Sequence, residues 1–303
     1  MNKEDLQKRA EEINRILYAF LPEAGAFDER IVSAMNYSVQ AGGKRIRPML
    51  MQDSFHAFAE EQDEPKILQA FMAAMECIHT YSLCHDDLPA MDNDEYRRGN
   101  LTTHAKFGEA FGILAGDGLL NYAYEIISEE MTHLDDPELL KKAVNAYCVL
   151  AEKAGFRGMV GGQSLDVYLD QTGDADTKQE HLEYIYENKT SALLEASLMI
   201  GAILAGADEK EVRTMEMIGK NVGMAFQIRD DILDLTGTLE ELGKPAGSDE
   251  RNGKKTYVTF LGMEKANEEV IRRSEEARIL ANELPYNTEA LTDIITYLMD
   301  RDS

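Results

Sequence analysis

Residues 71–100 read FMAAMECIHTYSLCHDDLPAMDNDEYRRGN, an apolar run that ends in acidic residues, a proline and two arginines. Phe71, Met75, Ile78 and Ser82 step by three or four residues, the spacing of one helix face, and the next position on that stripe is Asp86. The pattern recurs far along the chain. Val212, Met215, Gly219, Val222 and Phe226 form an apolar stripe whose continuation is Asp230, about five turns beyond Val212, with Asp234 one turn further. Helical periodicity of this kind runs through most of the chain, and strand-like alternation bounded by turns is absent, so the expected fold class is all-α.

A chain of 303 residues with 44% hydrophobic content can bury a sizeable core, and the simplest organisation is a single domain over residues 1–303. Lys and Arg number 31 against 56 Asp and Glu, a formal charge of −25 that repels nucleic acid and anionic membrane surfaces. An anionic ligand must then be met by local cations or by metal. Cys77, Cys84 and Cys148 have no metal-site spacing and are odd in number, which points to reduced, mostly buried thiols. The charged start MNKEDLQKRAEEINR lacks the apolar core of a signal peptide, and no stretch is long and apolar enough to span a bilayer. A cytoplasmic protein without stable membrane insertion is expected.

Helix signals divide the chain further. Asp28 can cap a helix carrying Ile31, Met35 and Val39, Gly42-Gly43 can end it, and Pro48 suits the first turn of the next. Helices are expected from Pro65 to Asp87, Gly108 to Thr132, Pro137 to Ala154, Met159 to Asp170, His181 to Leu204 and Asp208 to Asp234, with two near the C-terminus. The long irregular stretch Thr236 to Lys255 reads as a binding loop.

Carboxylates ending two buried stripes need cations, protons or water to offset their desolvation. Oxygen-only donors suit Mg²⁺ better than zinc. Asp230 and Asp234 share a helix face, whereas Asp86 and Asp92 would stand about 120° apart on an ideal helix. Pro89 should end or distort that helix and let Asp92 turn back toward Asp86. In so acidic a chain one DDxxD match is most often a solvated helix end. Two of them, with Arg97-Arg98 after the first and Lys244 and Lys254 after the second, suit a diphosphate bridged by metal to acidic walls. A third element, AGGKRIRPML at 41–50, crowds Lys44, Arg45 and Arg47 beside a Gly pair, either as surface charge at a helix junction or as a seat for a phosphate without metal.

These motifs resemble the trans-isoprenyl diphosphate synthase family, and within it the bacterial farnesyl diphosphate synthases most closely. The resemblance covers nearly the whole chain: GGKRIRP, HTYSLCHDDLPAMDNDEYRRG, LAGD at Leu114–Asp117, GGQSLD at Gly161–Asp166, KTSAL at Lys189–Leu193, GMAFQIRDDILD at Gly223–Asp234 and GKPAGSDERNGKKTY at Gly243–Tyr257. It implies a helical isoprenoid synthase bundle around a deep central cavity, usually a homodimer. It implies that Asp86, Asp92 and Asp230, with Asp87 and Asp234, hold about three Mg²⁺ ions, Mn²⁺ being a substitute, on an allylic diphosphate. Arg97, Lys189, Gln227, Lys244 and Lys254 would assist there. Isopentenyl diphosphate would meet Lys44, Arg47, His79 and Arg98, and Lys189, Thr190 and Gln227 would face the developing cation.

The implied reaction ionises dimethylallyl or geranyl diphosphate, adds isopentenyl diphosphate and loses a proton, giving farnesyl diphosphate. Tyr81, roughly 7.5 Å along the helix from Asp86 and beside Ser82, resembles the family's floor for the growing chain, or else is a plain core tyrosine. The insertion in DDLPAMD is shared with geranylgeranyl enzymes, so a longer product is the alternative. Glu95-Tyr96 and Gly99-Asn100 depart from the commoner Asp-Leu and Gly-Lys, outside the implied metal ligands. A terpene cyclase would not need GGKRIRP or a second DDxxD. A metal-dependent phosphohydrolase would draw on His79, His85 and His104, which lack ligand spacings, and a regulatory subunit would tend to lose the second acidic motif.

Overall fold

The computed structural model describes residues 2–59, 64–172, 177–236 and 255–300, and within them the chain is all-α apart from one two-stranded hairpin. Its contacts divide it into two compact units, one of Asn2–Gln52 with Glu61–Tyr147, the other of Asp53–Glu60 with Cys148–Ser303. No helix among the described residues is long and apolar enough to cross a membrane.

The first unit is built on α4, Lys66–Asp86, whose Phe71, Met72, Met75 and Ile78 are fully buried. Helices α1 (Lys3–Ala19), α2 (Glu29–Gln40) and α6 (Glu109–Thr132) pack on it. His85 Nε2–H donates to the Ile113 carbonyl (3.1 Å), and Gly116 leaves the space its ring occupies, so this histidine serves helix packing. Asp28 stands at the N-cap of α2 without a side-chain cap, because its carboxylate accepts instead from the Gly25 N–H (2.5 Å). The buried positions of α2 are Val32, Ala34, Met35, Ser38 and Val39, with Ile31 only half-buried. Helix α3, Ile46–Phe58, holds Pro48 in its first turn as expected. A short helix α5, Thr103–Phe107, and the hairpin strands β1 (Tyr96–Arg97) and β2 (Asn100–Leu101) complete the region between α4 and α6. These short elements carry no periodicity for the sequence to reveal.

In the second unit, α7 (Pro137–Ala154) ends beside α10 (Ala192–Ala205) and α11 (Glu209–Thr236). The helix expected from His181 to Leu204 is interrupted. Gln179–Ile185 forms α9, Tyr186–Ser191 is one π-helical turn, and α10 follows. Beyond α8 (Met159–Thr172) and α11, the described residues near the C-terminus form three helices where two were expected: α12 (Tyr257–Leu261), α13 (Met263–Glu283) and α14 (Glu289–Asp300). Gly262 at φ +79 separates the first two, a break hidden in an otherwise helical pattern. Cys77 and Cys84 are buried, in line with mostly buried thiols, and Cys148 lies on an outward position of α7 and is exposed.

One buried charge cluster holds this unit. Lys153 on α7 binds Glu216 at 2.7 Å and Glu195, whose carboxylate is 4% exposed. Burial raises the Glu195 carboxyl above its ordinary value, Lys153 opposes that rise, and Glu216 and Glu187 add to it. Replacing Lys153 by Met removes the opposing charge, so the folded-state value climbs further above the unfolded one. Protonation then favours the folded state, and the damage shrinks as pH falls. Lys153→Met should cost about 3 kcal/mol at about pH 8 and clearly less at about pH 5, read from urea unfolding at both values. An equal loss at the two pH values would refute the assignment.

Candidate active site

The basic loop comes first. Gly42 and Gly43, at φ +96 and +141, turn the chain out of α2. A Cβ on Gly43 would lie 2.5 Å from Nη1 and 2.9 Å from Cζ of Arg98, so a side chain there would displace that guanidinium, which donates to the Gly42 carbonyl, and would be strained at this φ. Arg98 arrives there on the turn of the β1–β2 hairpin, where it and Gly99 both have positive φ (+54 and +77). A two-residue turn of this kind needs positive φ at both central positions. Lys44 is exposed and Arg47 lies in the first turn of α3.

Arg45 behaves differently from its two basic neighbours. Its side chain is fully buried and paired with Glu76 at 2.6 Å. The cations left beside the glycine loop are Lys44, Arg47 and Arg98, with His79 on α4. Burial, with Arg47, Arg98, Arg45 and Arg97 adding, holds the His79 imidazole well below the ordinary histidine value. Burial also draws Arg47 down to about 10, Glu76 opposing and Arg98 adding, and its buried Nε has no hydrogen-bond partner. A neutral imidazole among crowded guanidiniums, one of them with an unmatched donor, is suited to an anion with several oxygens.

The first acidic motif follows α4. The helix stops at Asp86, and Pro89 sits in a tight reversal in which Asp92 N–H donates to Asp86 O (2.9 Å) and Asp94 N–H to Asp87 O (3.2 Å). Asp92 thus returns to the end of the helix, as expected from the proline. Asp86 is half-buried and Asp92 exposed. Asp87 points inward, 4% exposed, and accepts from Arg97 at 2.7 Å. Burial raises the Asp87 carboxyl, with Arg97 offsetting part of the rise. Tyr81, one turn back, is buried and set edge-on to His85, its hydroxyl pushed up to about 12 by burial, with Tyr124 and Asp86 adding. Ser82 donates to His79 O at 2.9 Å.

In the second unit the π-helical turn carries Lys189 and Thr190. Lys189 Nζ lies 2.6 Å from Asp166 Oδ2 on α8, and Thr190 Oγ1 donates to Gln227 Oε1 on α11 at 2.9 Å. Gly162 makes this approach possible, since a Cβ there would meet the Asn188 carbonyl carbon at 2.9 Å and overlap the Lys189 nitrogen. A π turn offsets a helix by one residue and is often found at functional sites. Asp230 on α11 is half-buried and Asp234 is buried at 4% exposure. Between them Asp231 accepts from Tyr186 Oη (2.6 Å) and from the Tyr257 N–H (2.9 Å), tying α11 to the π turn and to α12. Asp166 and Asp231 were not singled out from sequence, although the Gly161-Gly162 pair signals the close approach beside Asp166. Lys244 and Lys254 lie outside the described residues.

Among the described residues no three His, Cys, Asp or Glu side chains group closely enough to hold a metal alone. The donors offered by the two acidic motifs are all carboxylate oxygens, the chemistry of a hard cation that completes its shell with phosphate oxygens and water.

The Polyprenyl synthetase family model matches residues 28–295. This chain belongs to that family. It is 42% identical over 275 residues to a farnesyl diphosphate synthase of Geobacillus stearothermophilus, covering 90% of this chain and 89% of that one. It is 38% identical to the farnesyl diphosphate synthase of Micrococcus luteus across the full length of both. Geranylgeranyl pyrophosphate synthase 4 of Arabidopsis thaliana is 43% identical over 89% of this chain and 70% of its own. Among solved structures, an FPP/GFPP synthase from Zymomonas mobilis superposes with TM-score 0.84 at 31% identity over 98% of each chain. A geranyltransferase from Helicobacter pylori, in complex with magnesium and isoprenyl diphosphate, gives 0.81 at 30% identity over 99% of this chain and 97% of that one. All-α architecture and family membership, both expected from the motifs, are borne out.

His79 provides a direct check of the basic site. Its depressed value predicts that the imidazole stays neutral from about pH 8 down to about pH 6, measured by NMR of the histidine ring protons. A titration midpoint near the ordinary value of about 6.5 would show that the guanidiniums do not crowd it.

Proposed function

We propose that this protein is a short-chain (E)-prenyl diphosphate synthase of the farnesyl type, acting as a single synthase domain over residues 1–303. It condenses isopentenyl diphosphate with dimethylallyl and then geranyl diphosphate, head to tail. The observation that carries the reading is the Arg47–His79–Arg98 cluster, where guanidiniums crowd a neutral imidazole and one of them has an unmatched donor, apart from the acidic motif. Two diphosphates met by different chemistry fit a condensation, whereas a cyclase or hydrolase takes one. The farnesyl synthases among the relatives, and the family model running through both units, support it.

In the reaction, Lys44, Arg47, Arg98 and the neutral His79 hold isopentenyl diphosphate. Asp86, Asp92 and Asp87 of the first acidic motif and Asp230 and Asp234 of the second would hold about three Mg²⁺ ions on the allylic diphosphate, Mn²⁺ being a substitute. When bound, the metal neutralises charge on the leaving diphosphate. Arg97 adds positive charge from its station on Asp87, and Lys189, Lys244 and Lys254 act at the same headgroup. Thr190 and Gln227, fixed by their mutual hydrogen bond, present oxygen to the allylic cation together with the Lys189 carbonyl. The double bond of isopentenyl diphosphate attacks C1, and released diphosphate takes the proton, so no side-chain nucleophile is needed. Buried Tyr81, with Ser82, ends the space for the tail and favours a fifteen-carbon product over geranylgeranyl diphosphate. The protein works in the cytoplasm as a homodimer, a state that the exposed Ile113 and Leu114 of α6 favour.

Purified protein given Mg²⁺, isopentenyl diphosphate and dimethylallyl diphosphate should yield farnesyl diphosphate by chromatography. Diphosphate released without isopentenyl diphosphate would indicate a cyclase, and monophosphate a hydrolase. Asp86→Ala and Asp230→Ala should each lower kcat by about 10³-fold or more with unchanged circular dichroism, and retained turnover would remove their role. Tyr81→Ala should lengthen the product, and an unaltered chain length would dismiss it as the floor.

A further inference from the structure

The cation sites of the basic loop depend on a residue that faces away from them. Arg45 adopts φ +52, a conformation disfavoured for a residue with a Cβ, directly between Lys44 and the helix that carries Arg47. Its carbonyl accepts from Met49 N–H (3.1 Å), so its backbone starts α3. Its guanidinium reaches three other helices: Nε donates to Asn14 Oδ1 on α1 (2.8 Å), Nη2 to Val39 O on α2 (2.6 Å), and Nη1 to Glu76 on α4 (2.6 Å). Glu76, 2% exposed, lies one turn before His79 on the same helix.

We propose that Arg45, through its buried pair with Glu76, is a positioning residue that sets the register of Lys44 and Arg47 against His79 and so governs affinity for the non-allylic diphosphate. The inference rests on the synthase reading given above. Three directional contacts on three helices fix the guanidinium plane, and a fixed side chain in turn holds the strained backbone from which the neighbouring cations project. Glu76 also bears electrostatically on Arg47 and Arg98, raising both against the lowering by burial. Removal of its charge therefore loosens Arg45 and leaves the arginines repelling one another around His79. None of these contacts reaches the acidic motifs, so the effect falls on one substrate.

The test is steady-state kinetics on the full chain with each substrate varied at saturating partner. Arg45→Lys keeps the charge and loses the fork, and Glu76→Gln keeps an acceptor and loses the charge. Each should raise KM for isopentenyl diphosphate about tenfold or more, with KM for the allylic diphosphate and kcat within about twofold. A stability role alone would lower Tm and leave that KM unchanged. If the two substitutions prevent folding, Asn14→Ala, which removes only the acceptor of Nε, carries the same criterion with a smaller rise. Equal rises in both KM values, or an isopentenyl diphosphate KM within about twofold of wild type in folded variants, overturn the inference. Wild-type protein that makes no prenyl product overturns the synthase reading instead, a distinct result.

Discussion

The constraint underlying this protein is that charge placed in or beside a helical core must find opposite charge at once. Helix α4 shows it twice: Glu76, deep in an apolar face, is matched by Arg45, and Asp87 at the helix end by Arg97. Leaving either carboxylate alone would cost several kcal/mol, so each arginine is held where the acid stands. The pairs then dictate what surrounds them. Arg45 fixes the glycine loop, and Arg97 fixes the hairpin whose turn carries Arg98 back to that loop. A site of many cations and acids in a chain of net charge −25 is thus assembled from neutralised pairs, leaving selected groups to meet ligand.

The second unit solves a similar problem with different geometry. Lys189 and Thr190 sit on a π-helical turn that Gly162 allows against α8, and their partners Asp166 and Gln227 come from two other helices. Asp231, between the two outer acids of its motif, is committed to Tyr186 and the Tyr257 backbone. The motif therefore contains an anchoring carboxylate among its acids, and burial does not single it out, since Asp234 is as buried as Asp231.

Much of this was legible in sequence because it depended on local periodicity. The stripe through Phe71, Met75 and Ile78 is buried as its spacing requires, helix α7 has the expected bounds, and Pro89 returns Asp92 to Asp86. What escaped was decided by partners distant in the chain. Arg45 is indistinguishable from Lys44 and Arg47 in the run KRIR until Glu76, 31 positions away, is seen beside it. Asp28 looked like a cap, but Gly25 competed for its carboxylate. The break at Tyr186 left no mark because the flanking residues keep a helical pattern on both sides.

That break has a consequence for how the segment tolerates length change. A π turn holds one residue more than the α-helical path it replaces, and each α-helical residue rotates the chain by about 100°. Loss of Glu187 or Asn188 would let α9 and α10 join as one regular helix, gaining backbone order while carrying the side chains ahead of the lesion to a new azimuth. Thr190 and Gln227 would part company although every residue that binds ligand survived. In this stretch chain length, as much as residue identity, specifies the chemistry.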